Sequence, residues 1–160
     1  MPFDAQEFLA ATASAPMSTT ITPCPEGTFT AVVDDGGDLA DWFREATWND
    51  KQGNQRSAPT ARIPMRITDQ GVLDQLKRDS VIVPYDIFLD MTAAGKLDTS
   101  QDKNVKLGQL RDALGQNHGG QWSFAMLRGA GPLMVKVSQR SDKKDPSIKY
   151  AQVDRVAKVT

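Results

Sequence analysis

Hydrophobic and polar residues alternate with a period of two in five stretches of the chain, the spacing of half-buried β-strands. From Thr28 to Val33, Phe29, Ala31 and Val33 alternate with Thr28, Thr30 and Val32. From Arg62 to Asp69, Ile63, Met65 and Ile67 face one way, while Arg62, Pro64, Arg66 and Thr68 face the other. Pro64 places that strand at an edge or a bulge, because proline cannot donate to a ladder. Val81 to Leu89 sets Val81, Val83, Tyr85, Ile87 and Leu89 on one face; Ile82, Pro84, Phe88 and acids lie on the other. Leu133, Val135 and Val137 begin a fourth strand against Met134, Lys136 and Ser138. Tyr150 to Val159 is the fifth, with a slip near Asp154.

A helical period appears once with clear limits. Leu107, Leu110, Ala113 and Leu114 recur at helix spacing between Asn104 and Leu114, and Gly115 stands where a left-handed C-terminal residue belongs. Leu39 to Trp48 fits either a continued strand or a short helix, and Trp122 to Leu127 packs back as either. Residues 4–13 have helix-forming composition with a weak apolar stripe of Phe3, Phe8 and Leu9. Residues 10–20 are small and polar, so residues 1–20 read as a flexible or helical N-terminal extension. The prolines of Thr22-Pro23-Cys24-Pro25-Glu26-Gly27 then make a turn, and the folded domain is expected over 21–160.

Strand, strand, strand, helix, strand, strand is the element order of the OB-fold, a small five-stranded Greek-key barrel. The expected class is therefore mainly β, a five-stranded OB-fold barrel with one short helix between strands 3 and 4. An SH3-like barrel or an α+β sandwich produces a similar string.

Composition narrows the chemistry. The 160 residues suit one domain, and a net charge of −1 excludes a protein held to its partner by bulk positive charge. One cysteine, Cys24, and one histidine, His118, allow neither an internal disulfide nor a Cys/His zinc site. There is no Walker A loop, no dinucleotide-binding glycine motif and no nucleophile elbow. Asp90 and Asp98 flank a glycine loop without the spacing of a calcium-binding hand. The chain is expected to be no enzyme and to carry no cofactor or metal. No apolar run is long enough to span a membrane, and the opening MPFDAQEF lacks the segments of a signal peptide, so a cytosolic location is expected.

The near-zero charge conceals two unlike halves. Residues 1–60 hold nine acids and three bases; residues 61–160 hold 16 bases and 11 acids, with seven of those bases from Lys136 onward. Proteins that bind single strands without sequence preference combine a positive groove with aromatic stacking platforms. Candidate contacts of that kind are Trp48, Lys51 and Arg56 in the region between the first two strands, and Arg62 and Arg66 on the second. Tyr85 on the third and Lys136 on the fourth join them, as do Arg140, Lys143, Lys144, Lys149 and Tyr150 around the last hairpin. Tyr85 and Phe88 fall on opposite faces of their strand, so only one of them can stack a base. Each tryptophan also fits a core position, and each basic residue also fits an ordinary solvated face.

Three strings carry a resemblance. Thr19-Thr20-Ile21-Thr22-Pro23-Cys24-Pro25-Glu26-Gly27-Thr28-Phe29 is similar to the opening of small tailed-phage proteins. So are Asn104-Val105-Lys106-Leu107-Gly108-Gln109-Leu110-Arg111-Asp112-Ala113-Leu114-Gly115-Gln116-Asn117 and the Asp145-Pro146 that precedes Tyr150-Ala151. The resemblance covers most of residues 19–157, and its motifs are structural rather than chemical. It implies an OB-fold, single-stranded DNA-binding protein of phage replication or recombination, acting in the cytoplasm of an infected bacterium. The implied partners are single-stranded DNA and phage replication or recombination proteins; a homo-oligomer is a further expected partner, though the sequence does not set the oligomeric state. Such proteins often end in an acidic, partner-recruiting tail; here the last residues are Ala157-Lys158-Val159-Thr160, which moves the expected partner handle to the N-terminal 20 residues. The competing expectation is a phage structural or protein-interaction module on the same barrel, without nucleic-acid binding.

Overall fold

A computed structural model describes residues 3–160. Six antiparallel strands form one sheet, and three short α-helices and two 3-10 turns decorate it. The strands are β1 (Gly27–Val33), β2 (Phe43–Asn49), β3 (Gln55–Ile67), β4 (Val81–Phe88), β5 (Leu133–Ser141) and β6 (Lys149–Ala157). The helices are α1 (Ala5–Leu9), α2 (Gln70–Leu76) and α3 (Val105–Ala113).

β3 organises the sheet. Its 13 residues pair with β2 along the first half and with β1 at the end, both on one edge, while β4 takes the other edge. β1 pairs in turn with β5, and β5 with β6. The sheet curls until β4 and β6 lie against each other, yet among the described residues no ladder joins them and the sheet stays open.

One face of the curled sheet is the core. Ile63, Met65 and Ile67 of β3, Val83, Tyr85 and Ile87 of β4, and Leu133, Val135 and Val137 of β5 are almost completely buried there. Alternation dictates this, because every second side chain of a strand points to the same face. α3 adds Leu107 and Leu110, and the 3-10 turn Leu39–Trp42 adds Trp42. Burying each large aliphatic side chain contributes about 1.5–3 kcal/mol.

The predicted strands and the helix over 104–114 are present, with three differences. The sheet has six strands rather than five, because Leu39 to Trp48 forms a 3-10 turn and then β2, and because β3 starts at Gln55. The β2–β3 hairpin projects from the body and is mostly exposed on both faces, so no apolar alternation marks it in the sequence. α2 was not expected. It buries only Val72 and is held by its cap, where Asp69 accepts from the Val72 N–H at 3.2 Å. The last basic loop is also shorter than expected, since β5 runs on to Ser141 and β6 begins at Lys149.

The slip expected near Asp154 is a bulge: Lys136 faces Arg155 while Val137 faces Val153, which leaves Asp154 as the extra residue. Gly115 adopts φ 72° beyond α3, as its C-terminal position requires. Asn104 anchors the long β4–α3 connection, its side-chain amide donating to the carbonyls of Asp90 (2.8 Å) and Asp98 (2.9 Å). In the N-terminal extension, α1 spans five residues and residues 3–20 are exposed throughout. No helix among the described residues is long and apolar enough to cross a membrane.

Candidate nucleic-acid interface

The outer face of β2, β3 and β4 carries the candidate side chains. Strand register sets them in rows: Trp48 beside Arg56, Arg44 beside Thr60 and Phe88, Arg62 beside Asp86, and Arg66 beside Ile82. Trp48 and Phe88 meet edge to face with ring centroids 5.8 Å apart. Both remain open to solvent, Trp48 at 44% and Phe88 at 61%. Trp42 is buried, and the ring of Trp122 is covered by the Arg111 guanidinium at 4.7 Å and by Phe124. Trp48 is thus the tryptophan available to a base.

A hollow of about 260 Å³ next to Phe88 is lined by Arg44, Thr60, Arg62 and Asp86. Arg62 and Asp86 also line a larger cleft of about 580 Å³ between the start of β4 and the start of β6. Arg78, Arg140, Lys149 and Tyr150 complete the polar lining of that cleft, and Ile21 to Cys24 form one wall. Four cations therefore share the cleft with one carboxylate. β5–β6 pairing explains part of this convergence, because it sets Arg140 directly opposite Tyr150 on the outer face.

Several arginines are already engaged. Arg62 grips Asp86 with two hydrogen bonds of 2.8 and 3.0 Å, which raise its pKa further. Arg56 reaches Asp50 at 2.9 Å, and Arg66 reaches Asp34 at 3.5 Å. The Asp50 carboxylate also accepts N–H bonds from Asn54 and Gln52 at the hairpin tip, and its pKa falls, chiefly through the Asn54 N–H. These are solvent-screened pairs that contribute little, so a phosphate can compete for them.

The remaining candidates are placed as follows. Lys51 is exposed in the β2–β3 turn. Lys143 and Lys144 are exposed in the loop between β5 and β6, and the Lys144 N–H donates to Asp142 at 2.7 Å. The Tyr150 hydroxyl also donates to Asp142, at 2.9 Å, and its pKa is raised by that carboxylate. Lys136 is exposed on the outer face of β5, opposite Arg155 and away from the cleft lining.

Tyr85 is corrected. It is 1% exposed and ranks among the largest fully buried side chains, so its ring cannot stack a base. Phe88, on the opposite face of the same strand, is the exposed aromatic. Arg78 was not anticipated. It follows α2, whose weak pattern hid its location, and its guanidinium donates to the Thr22 carbonyl at 2.7 Å, tying the wall of the cleft to its floor.

Burial pushes the Cys24 thiol up to about 11 despite the nearby Arg78 cation, so it stays protonated at neutral pH. No cluster of three metal-ligating side chains occurs among the described residues. Asp98 instead accepts from the backbone and hydroxyl of Ser100. No protein-family model matches the chain, and neither a curated protein nor a solved structure matches it.

Proposed function

We propose that this protein binds single-stranded DNA without sequence preference, on an OB-type variant of the open sheet, in phage replication or recombination. One observation carries the proposal: the exposed Trp48–Phe88 pair is continuous, through Arg62, with a cleft that holds four cations against one acid. Bases stack on the aromatic pair while the phosphates follow the cations into the cleft. Arg44 and Arg62 lie between the two.

Oligo-dT titration at low salt, read by tryptophan fluorescence, tests this. Binding quenches the exposed Trp48. With three or four phosphates neutralised, log affinity falls against log salt with a slope of about −2 to −3. Neither quenching nor an anisotropy change at tens of micromolar protein rejects the proposal.

The ion pairs at Arg56, Arg62 and Arg66 favour a second function at those positions, a protein-contact surface on which acids and bases alternate. Asp86→Asn separates the two. If DNA binds, removing this carboxylate frees Arg62 and raises oligo-dT affinity several-fold at low salt, on the order of 1 kcal/mol. If the surface takes a protein, the variant gains no DNA affinity and loses the co-purifying partner.

A further inference from the structure

Among the described residues, three strands keep an unpaired edge. Those of β4 and β6 face each other across the curl of the sheet, and Pro84 removes one donor from β4. The outer edge of β2 faces solvent, and neither a proline nor a lysine interrupts its seven residues, Phe43 to Asn49. Such an edge is a template for another strand.

The direction of its free groups follows from the ladder. The Asp50 N–H donates to the Asn54 carbonyl at 2.9 Å at the mouth of the hairpin. Antiparallel pairs alternate, so Trp48/Arg56, Ala46/Ala58 and Arg44/Thr60 are the hydrogen-bonded pairs within the hairpin. Consistent with this, the odd residue Pro59 turns its carbonyl to Leu89, beyond β4 on the other side of β3. Glu45, Thr47 and Asn49 therefore aim their N–H and C=O groups outward, while the Phe43 N–H is spent on the Ala40 carbonyl, where it closes the 3-10 turn.

We infer that β2 pairs antiparallel with β2 of a second copy of this chain, in the register that sets Ala46 opposite its own counterpart. In this register Phe43 faces Asn49, Arg44 faces Trp48 and Glu45 faces Thr47, so the full length of β2 is overlapped, the two Glu45/Thr47 pairs supply the central hydrogen bonds and no like charges meet. Shifting by two residues one way sets the two Glu45 carboxylates directly opposite each other. The same shift the other way runs β2 into its own turn at Asp50. A slip of one residue turns the exposed aromatic face of one copy to the opposite side.

Arg44 and the second copy's Trp48 form a non-hydrogen-bonded pair, the closer of the two types, which suits a guanidinium against an indole. The two-fold axis stands perpendicular to the sheet, so both Trp48–Phe88 pairs lie on one continuous surface. This dimer does not depend on what that surface binds.

Sedimentation equilibrium tests it on the full chain. A small interface of this kind predicts a dimer at roughly hundreds of micromolar that dissociates on dilution. Thr47→Pro removes an outward N–H without touching the β2–β3 ladder; it abolishes the dimer and leaves the circular dichroism spectrum unchanged. Ala46→Cys reports the register. A symmetric non-hydrogen-bonded pair holds the two Cα atoms about 4.5 Å apart, within disulfide range, so mild oxidation yields a covalent dimer. Thr47→Cys, offset from its counterpart, does not cross-link, and the native Cys24, only 2% exposed, does not compete. A monomer up to about 500 μM overturns the inference. So does equal cross-linking of the two cysteine variants, or a Thr47→Pro protein that dimerises like the parent.

Discussion

Tyr85→Ala is expected to destabilise the protein by about 3–5 kcal/mol, measured by urea unfolding followed by circular dichroism. Tyr85 sits 1% exposed on the inner face of β4, between Val83 and Ile87 and opposite Ile63 of β3. Deleting the ring removes its transfer free energy and leaves a cavity that the packed sheet cannot collapse around. A domain stable by about 5–15 kcal/mol loses a large fraction of its margin. Phe88→Ala, three residues along the same strand, is the control. Its ring is 61% exposed, so the expected change is within about 0.5 kcal/mol. A small effect at Tyr85 together with a large one at Phe88 would mean that the two faces of β4 have been assigned the wrong way round.

The second large effect concerns binding. Trp48→Ala and Phe88→Ala are each expected to weaken oligo-dT binding by about 1–3 kcal/mol, the usual worth of one base stacked on an aromatic ring. That is a loss of roughly 5- to 150-fold, read by anisotropy of labelled oligonucleotide. The rings touch at 5.8 Å, so the double variant should lose less than the sum of the single losses. Lys149→Ala in the cleft behaves differently: it lowers the salt slope by about 0.7 and affects every sequence alike. Wild-type affinity in both aromatic variants would leave the cleft cations as the sole contacts and remove stacking from the mechanism.

Most of the fold was legible in the chain because burial on one side of a strand imposes alternation. β1, the second half of β3, β4 and the first residues of β5 carry that signal. The α3 stripe and Gly115 carry the helical one. The same rule explains what stayed hidden. β2 and the first half of β3 form an arm exposed on both faces, so burial imposes no pattern there. α2 buries one residue and has no stripe to read. For the site, the sequence identified residue types but not their company. Arg62, Arg140, Lys149 and Tyr150 were each candidates, and only the curl of the sheet brings them into one cleft. Asp86 and Asp34 were ordinary acids in the sequence, and strand register and loop placement made them the partners of Arg62 and Arg66.

The sequence by itself determined the mainly β class, the alternating faces of the long strands, the helix before β5 and, with one cysteine in the chain, that no internal disulfide forms. These follow from periodicity and composition, which are local properties. Only the tertiary structure decided which aromatics reach solvent, which cations remain unneutralised and which strand edge lacks a partner. All three depend on residues far apart in the chain: Trp48 lies 40 positions from the Phe88 it touches, and Arg62 lies 24 from Asp86. The alternation that identified β4 as a strand set Tyr85 and Phe88 on opposite faces, and the sequence named Tyr85 as the stacking candidate. Packing against β3 and the core separated them by burying one and leaving the other beside Trp48.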